Sequence, residues 1–277
     1  MRAALLVLVL LPQDSFKFEG RSLYVWKEAG AIEKGKGEAA GLLAFCAERK
    51  VGRLYFMVSG KDTVPLREFV KAAHAAKVQV HAMHPGDMAD WLDPFPARLD
   101  HKVILDWVRD VRKLGIFDGF HLDIEPHGTE AWKTHRAKLA AGYVELLHLA
   151  REAAGKDAVL SVAIPDNWDR PGLEIEVQGA KKLLVEHVQD AVTYVSVMAY
   201  RGKDAAKVLE AVAHECRYRP GRVELIQETD PAAVEEGTPL HVGSQANLEA
   251  VFQAAREKFG AAIGESVHHY STWRGLK

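Results

Sequence analysis

Residues 118–126 read Asp-Gly-Phe-His-Leu-Asp-Ile-Glu-Pro, the stretch that packs the most reactive side chains into the fewest positions. Successive side chains of a strand point to opposite faces, so Phe120, Leu122 and Ile124 share one face and His121, Asp123 and Glu125 the other. Burying three ionisable groups together is costly unless they pair or reach an open end. Neighbouring carboxylates split their pKa values: one stays charged and raises the other. A Glu raised in this way keeps its proton near neutral pH and can act as a general acid. The spacing therefore points to Glu125 as proton donor and Asp123 as its charged partner. A buried ion network that only braces the strand is the alternative.

Something must hold that trio in place. Short apolar runs at 22–27, 53–59, 78–84, 117–125, 159–165, 191–200, 222–228 and 266–271 read as strands. Between them, segments 36–50, 64–76, 99–114, 130–154, 178–187, 204–215 and 244–259 carry Ala, Leu, Lys and Glu at helical spacing. Eight strands alternating with helices over about 250 residues predict an α/β protein, a single (β/α)8 TIM barrel spanning residues 16–277. A doubly wound sheet would open with a Gly-rich phosphate turn, and Trp26-Lys27-Glu28-Ala29-Gly30 is not one. In a barrel the apolar face of the fourth strand meets the helices, which puts His121, Asp123 and Glu125 in the lumen. Glu125 ends its strand, at the carboxyl-terminal face where barrel active sites sit.

Residues 118–125 resemble the fourth-strand signature of family-18 glycoside hydrolases, the chitinases and their relatives, which reads D-G-x-D-x-D-x-E. Asp118, Gly119, Asp123 and Glu125 match, and His121 stands where the family has its first inward Asp. The resemblance implies that Glu125 protonates the glycosidic oxygen. Asp123 would orient and charge-stabilise a 2-acetamido group, which attacks the anomeric carbon in place of an enzyme nucleophile. Met198 and Tyr200 resemble the family's sixth-strand Met-x-Tyr, with Arg201 replacing the acid that follows. Tyr200 is thereby expected to hydrogen-bond the acetamido carbonyl. Relatives end the eighth strand with a Trp beneath the sugar; Tyr270 is expected at that position, with Trp273 nearby. Trp26, ending the first strand, offers another stacking face. His268 shares the Tyr270 face and Glu228 ends the seventh strand, so both are expected in the substrate site. His121 is expected to hydrogen-bond Asp123, and Arg201 to favour an anionic saccharide over chitin. The loop after the seventh strand is too short for the family's chitin-binding insertion.

The expected partner is an oligosaccharide or polysaccharide, and no cofactor is implied. Two other readings use the same residues. One is a metal-dependent hydrolase built on His121, Asp123 and Glu125, with His127, His81, His84, His268 and His269 as further ligand candidates. No H-x-x-x-H pair or C-x-x-C marks it. The other is a carbohydrate-binding barrel that has lost catalysis, against which the presence of the terminal Glu125 argues. Composition narrows the field further. Thirty-six basic against 38 acidic residues give a net charge of −2, so a nucleic-acid or anionic-membrane role has no electrostatic footprint. Cys46 and Cys216 cannot build a disulfide framework and are expected as free thiols. Arg2 followed by the apolar run 3–11 has the shape of an export signal, too short to span a bilayer at about 20 residues. It predicts a secreted or periplasmic protein; a buried first strand in a cytoplasmic one is the alternative.

Overall fold

The computed structural model describes residues 16–84, 92–93, 98–235 and 237–277, so the expected export signal lies outside the described residues. Eight strands form the frame: β1 (Arg21–Val25), β2 (Val51–Met57), β3 (Gln79–Met83), β4 (Gly119–Leu122), β5 (Val159–Pro165), β6 (Tyr194–Met198), β7 (Val223–Glu228) and β8 (Gly264–His268). They close into one parallel barrel in which each strand pairs with its sequence neighbours and β1 pairs with β8. Outside lie α1 (Lys27–Glu33), α2 (Ala39–Arg49), α3 (Val64–Ala75), α4 (His101–Leu114) and α5 (Glu130–Ala154). The ring continues with α6 (Leu184–Ala191), α7 (Ala205–Ala211), α8 (Ala213–Tyr218), α9 (Gln245–Phe259) and α10 (Tyr270–Trp273). This is the expected (β/α)8 architecture.

Period-two patterning builds the layer between strands and helices. Outward residues such as Leu54, Phe56, Val162 and Ile164 are fully buried. From the helical side, α4 buries Ile104, Leu105, Trp107, Val108 and Val111 at helical spacing. Each large apolar side chain so buried contributes about 1.5–3 kcal/mol. Side-chain caps start several helices: Thr63 accepts from Leu66 N, Thr129 from Trp132 N and Ser244 from Asn247 N. Gly115, at φ 64°, ends α4 in the left-handed region.

The lower lumen is polar and filled. Glu224 accepts hydrogen bonds from Ser22 Oγ (2.5 Å), Tyr55 Oη (2.5 Å) and Ser196 Oγ (2.6 Å). The Arg53 guanidinium lies 3.9 Å from it, capped by the rings of Phe16 and Phe18. A buried charge is tolerable only with such partners. The consequence for function is that the fourth-strand carboxylates face away from a plugged floor.

Several expected elements differ in the structure. The helix expected at 178–187 is a hairpin, Glu174–Val177 paired with Ala180–Leu183, followed by α6. Its turn residues Gln178 and Gly179 have φ 52° and 80°, the two-residue geometry that matches strand twist. The alternation Glu-Ile-Glu-Val outweighs helical propensity there. The helix expected at 204–215 breaks at Val212 into α7 and α8. The last strand ends at His268 instead of Ser271, and the chain turns at His269 into α10. Cys46 in α2 and Cys216 in α8 are unbonded. No helix of the described residues is long and apolar enough to cross a membrane.

Glu215 on α8 is fully buried, and neither carboxyl oxygen has a hydrogen-bond partner. Burial, reinforced by Asp169 and Asp166 and opposed by the dipole of its own backbone N–H and by Arg217, pushes its carboxyl up to about 8. A folded value above the unfolded 4.5 means that the folded state binds more protons, so stability falls as pH rises through that interval. The loss is on the order of a few kcal/mol. Glu215→Gln should therefore match the wild type in urea denaturation near about pH 5 and be the more stable protein near about pH 9.

Candidate active site

β4 carries the reactive groups to the barrel mouth. Phe120, Leu122 and Ile124 are buried among the helices, while His121, Asp123 and Glu125 face inward. Gly119 is required at the base of this strand: a Cβ there would lie 2.9 Å from both His81 Cε1 and the Val159 carbonyl oxygen. Past Glu125 the chain bends through a single 3₁₀ turn, Pro126–Gly128.

The Asp123 and Glu125 carboxyls lie close enough to interact, so that a protonated Glu125 can donate to a charged Asp123. Burial raises both carboxyls, Asp123 to about 6 and Glu125 to about 7. Asp123's charge adds to the rise at Glu125, and His268 opposes it. His127 Nε2 lies 3.5 Å from Glu125 Oε2, but burial depresses this imidazole to about 4, so it is neutral and does not pull the Glu125 proton away. The pair thus loses its protons in sequence, Asp123 first, with a protonated Glu125 beside a charged Asp123 between the two steps. Asp123 Oδ1 is buried without a hydrogen-bond partner, an acceptor open to a donor from the mouth.

Four other strand ends converge on this pair. Tyr200, just beyond β6, has its phenol pushed well above the usual range by burial and by the charges of Glu228, Asp123 and Glu125, so it remains a donor. Met198 packs in the lumen cluster below it. Glu228, at the end of β7, accepts His268 Nδ1–H at 2.7 Å, and Trp26 Nε1–H donates to His268 Nε2 at 3.0 Å. Trp26, Tyr200, Glu228 and His268 therefore lie at one rim with the carboxylates.

Four expected placements are corrected. His121 is not a partner of Asp123: it is fully buried in the layer below, bonded to Tyr24 Oη (2.8 Å) and Ser161 Oγ (2.9 Å) and stacked on Tyr55. Ser161 donates to the Phe120 carbonyl, so it accepts from His121 Nδ1–H and leaves Nε2 to accept from Tyr24. Burial holds this imidazole near 3, neutral. Arg201 is not an unclaimed cation for an anionic sugar, because it forms an ion pair with Asp166 at 2.5 Å. Tyr270 and Trp273 are not a sugar floor. Both are buried in the helical layer against Phe45, because β8 ends before the alternation could turn Tyr270 inward. For the metal reading, both His121 nitrogens are engaged, and among the described residues no group of three or more His, Cys, Asp or Glu is placed to hold an ion.

The structure also brings in residues that the pattern did not single out. Tyr143 of α5 and Trp168 of the loop after β5 are buried beside His127, with ring contacts of 5.2 Å between themselves and 5.7 Å from His127 to Trp168. Tyr143 feels the charges of Asp123 and Glu125. Asp166 had a readable signal, an acid directly after the fifth strand. Tyr143 and Trp168 had none, since helices and loops fold back by tertiary packing.

No protein-family model matches the sequence, and no curated protein matches it. Solved structures do resemble the fold. A GH18 chitinase from Pseudoalteromonas aurantia is 12% identical, with TM-score 0.59 over 91% of this chain and 94% of that one. A chitinase from Rhizomucor miehei is 16% identical, with TM-score 0.58 over 91% and 95%. The spore cortex-lytic enzyme of Bacillus cereus is 11% identical, with TM-score 0.56 over 93% and 72%. The chain is thus a (β/α)8 barrel alike in fold to GH18 chitinases.

Proposed function

We propose that this protein is a glycoside hydrolase that cleaves a glycan containing 2-acetamido sugars. The observation that carries this reading is the Asp123–Glu125 pair at the carboxyl-terminal face of β4, with Glu125 the group that holds its proton longer. Glu125 gives that proton to the glycosidic oxygen as the bond to the anomeric carbon breaks. The acetamido oxygen attacks the same carbon from the opposite side, so no enzyme carboxylate forms a bond to the sugar. Asp123 accepts the acetamido N–H and stabilises the cationic ring that forms; its unpartnered Oδ1 is the atom suited to this. Tyr200 donates to the acetamido oxygen. Water then attacks the anomeric carbon, the bond from that carbon to the acetamido oxygen breaks to restore the acetamido group, and the Glu125 carboxylate takes the water's proton.

The chitinases and the cortex-lytic enzyme among the structural neighbours make chito-oligosaccharides and peptidoglycan fragments the first substrates to try. Incubation with both panels should release shorter oligosaccharides, with the first-formed reducing end keeping the β configuration by NMR. Cleavage should persist in EDTA. Binding without cleavage of any member would instead identify a carbohydrate-binding barrel.

A further inference from the structure

The chain of hydrogen bonds from Glu228 to Trp26 crosses three strands that adjoin in the barrel, β7, β8 and β1. Glu228 is 4% exposed. Its Oε1 accepts from the backbone N–H of Thr229 and of Asp230, each at 2.7 Å, and its Oε2 accepts from His268. The carboxylate is therefore fixed at both oxygens. An indole N–H can only donate, so His268 Nε2, facing Trp26 Nε1, must present its lone pair. Together the two contacts specify the neutral imidazole with its proton on Nδ1. In this form the ring joins a fixed carboxylate to a tryptophan.

Trp26 is the end point of the chain. It follows β1 on the lumen side, with its ring plane 22° from that of Tyr24 and the centroids 6.2 Å apart. It is half-buried at the mouth, whereas Trp273 is fully buried in the helical layer. A sugar ring presents an apolar C–H face that stacks on an aromatic plane. Such stacking demands a fixed plane, and the hydrogen bond to His268 sets it. We propose that Glu228 and His268 are positioning residues that hold Trp26 as the sugar-stacking platform of this site, and that protonation of His268 releases it.

The release follows from donor chemistry. A second proton on His268 occupies Nε2, which then opposes the indole N–H with another N–H. The groups facing His268 are Glu228 on β7, Asp123 and Glu125 beyond β4, Tyr24 on β1 and Trp26 beyond it, Tyr200 beyond β6 and the adjoining His269. Burial disfavours the charged imidazole, but the hydrogen bond and charge of Glu228, with the charges of Asp123 and Glu125, outweigh it and raise His268 above 6.5. The platform is therefore held on the alkaline side of that titration and loosened on the acid side. Binding and chemistry then have separate acid limbs, one at His268 and one at Asp123.

This inference rests on the glycosidase reading of the site, and two measurements separate them. The first needs no substrate: tryptophan emission of the full-length protein across pH, in the wild type, Trp26→Phe and His268→Gln. A step above about pH 6.5 is expected in the wild type and absent from both variants. Glutamine is the informative replacement, because its amide can donate to Glu228 and accept from Trp26 yet does not titrate. The second is steady-state kinetics on chito-oligosaccharides. His268→Phe should raise KM about five- to tenfold while kcat changes less than about threefold. His268→Gln should restore KM and abolish its rise toward acid pH. Thermal melts check that each variant is folded. An emission step that survives in Trp26→Phe, or a wild-type KM in His268→Phe, overturns the relay. An intact emission step in a protein that cleaves no glycan overturns the glycosidase reading and leaves the relay standing.

Discussion

Glu125→Gln is expected to lose about 10²–10⁴-fold in kcat while binding oligosaccharide as the wild type does. The amide keeps the shape of the side chain and a hydrogen bond to Asp123, but it has no transferable proton. The neighbouring Trp26 and Tyr200 are untouched, so affinity measured by calorimetry should change little. The thermal midpoint should hold or rise, because the substitution removes a buried acid whose ionisation is already disfavoured. Retention of full activity would remove Glu125 from the chemistry and the glycosidase mechanism with it.

Asp123→Asn has a different signature. The charge lost is the one that stabilises the cationic ring, and loss of one such electrostatic contact costs about 10²–10³-fold. The pH profile should change as well. In the wild type the active form has Asp123 ionised and Glu125 protonated, which places the rate maximum between about 6 and about 7. Deleting the Asp123 charge removes a group that raises Glu125, so Glu125 gives up its proton at lower pH. The alkaline limb of kcat should move down, and the acid limb due to Asp123 should vanish. A slower enzyme with an unshifted alkaline limb would show that Asp123 acts on the substrate but not on Glu125.

Local pattern was enough to read the barrel and the inward-facing carboxylates. Strand alternation is a property of consecutive residues, and burial of Leu122 and Ile124 outside the barrel forces Asp123 and Glu125 to the other face whatever the neighbouring strands contain. The same period of two carries on for three residues past the end of β4 at Leu122 but fails past the end of β8. Tyr270 lies two residues past His268, but β8 ends between them, and only the packing of α10 on Phe45 decides that Tyr270 points outward.

Partner choice was decided by tertiary structure throughout. His121 has Tyr24 of β1 and Ser161 of β5 within hydrogen-bond reach, and takes both in preference to Asp123 on its own strand. Arg201 finds Asp166 at the end of the adjoining β5, which neutralises the charge that the sequence appeared to offer a substrate. The Glu228–His268–Trp26 chain joins residues 26, 228 and 268, brought together only when β8 closes the barrel between β7 and β1. The sequence by itself determined which side chains enter the lumen, because that depends on strand parity and hydrophobicity alone. Only the closed barrel decided which of them touch, because register and strand neighbourhood are set by contacts far apart in the chain.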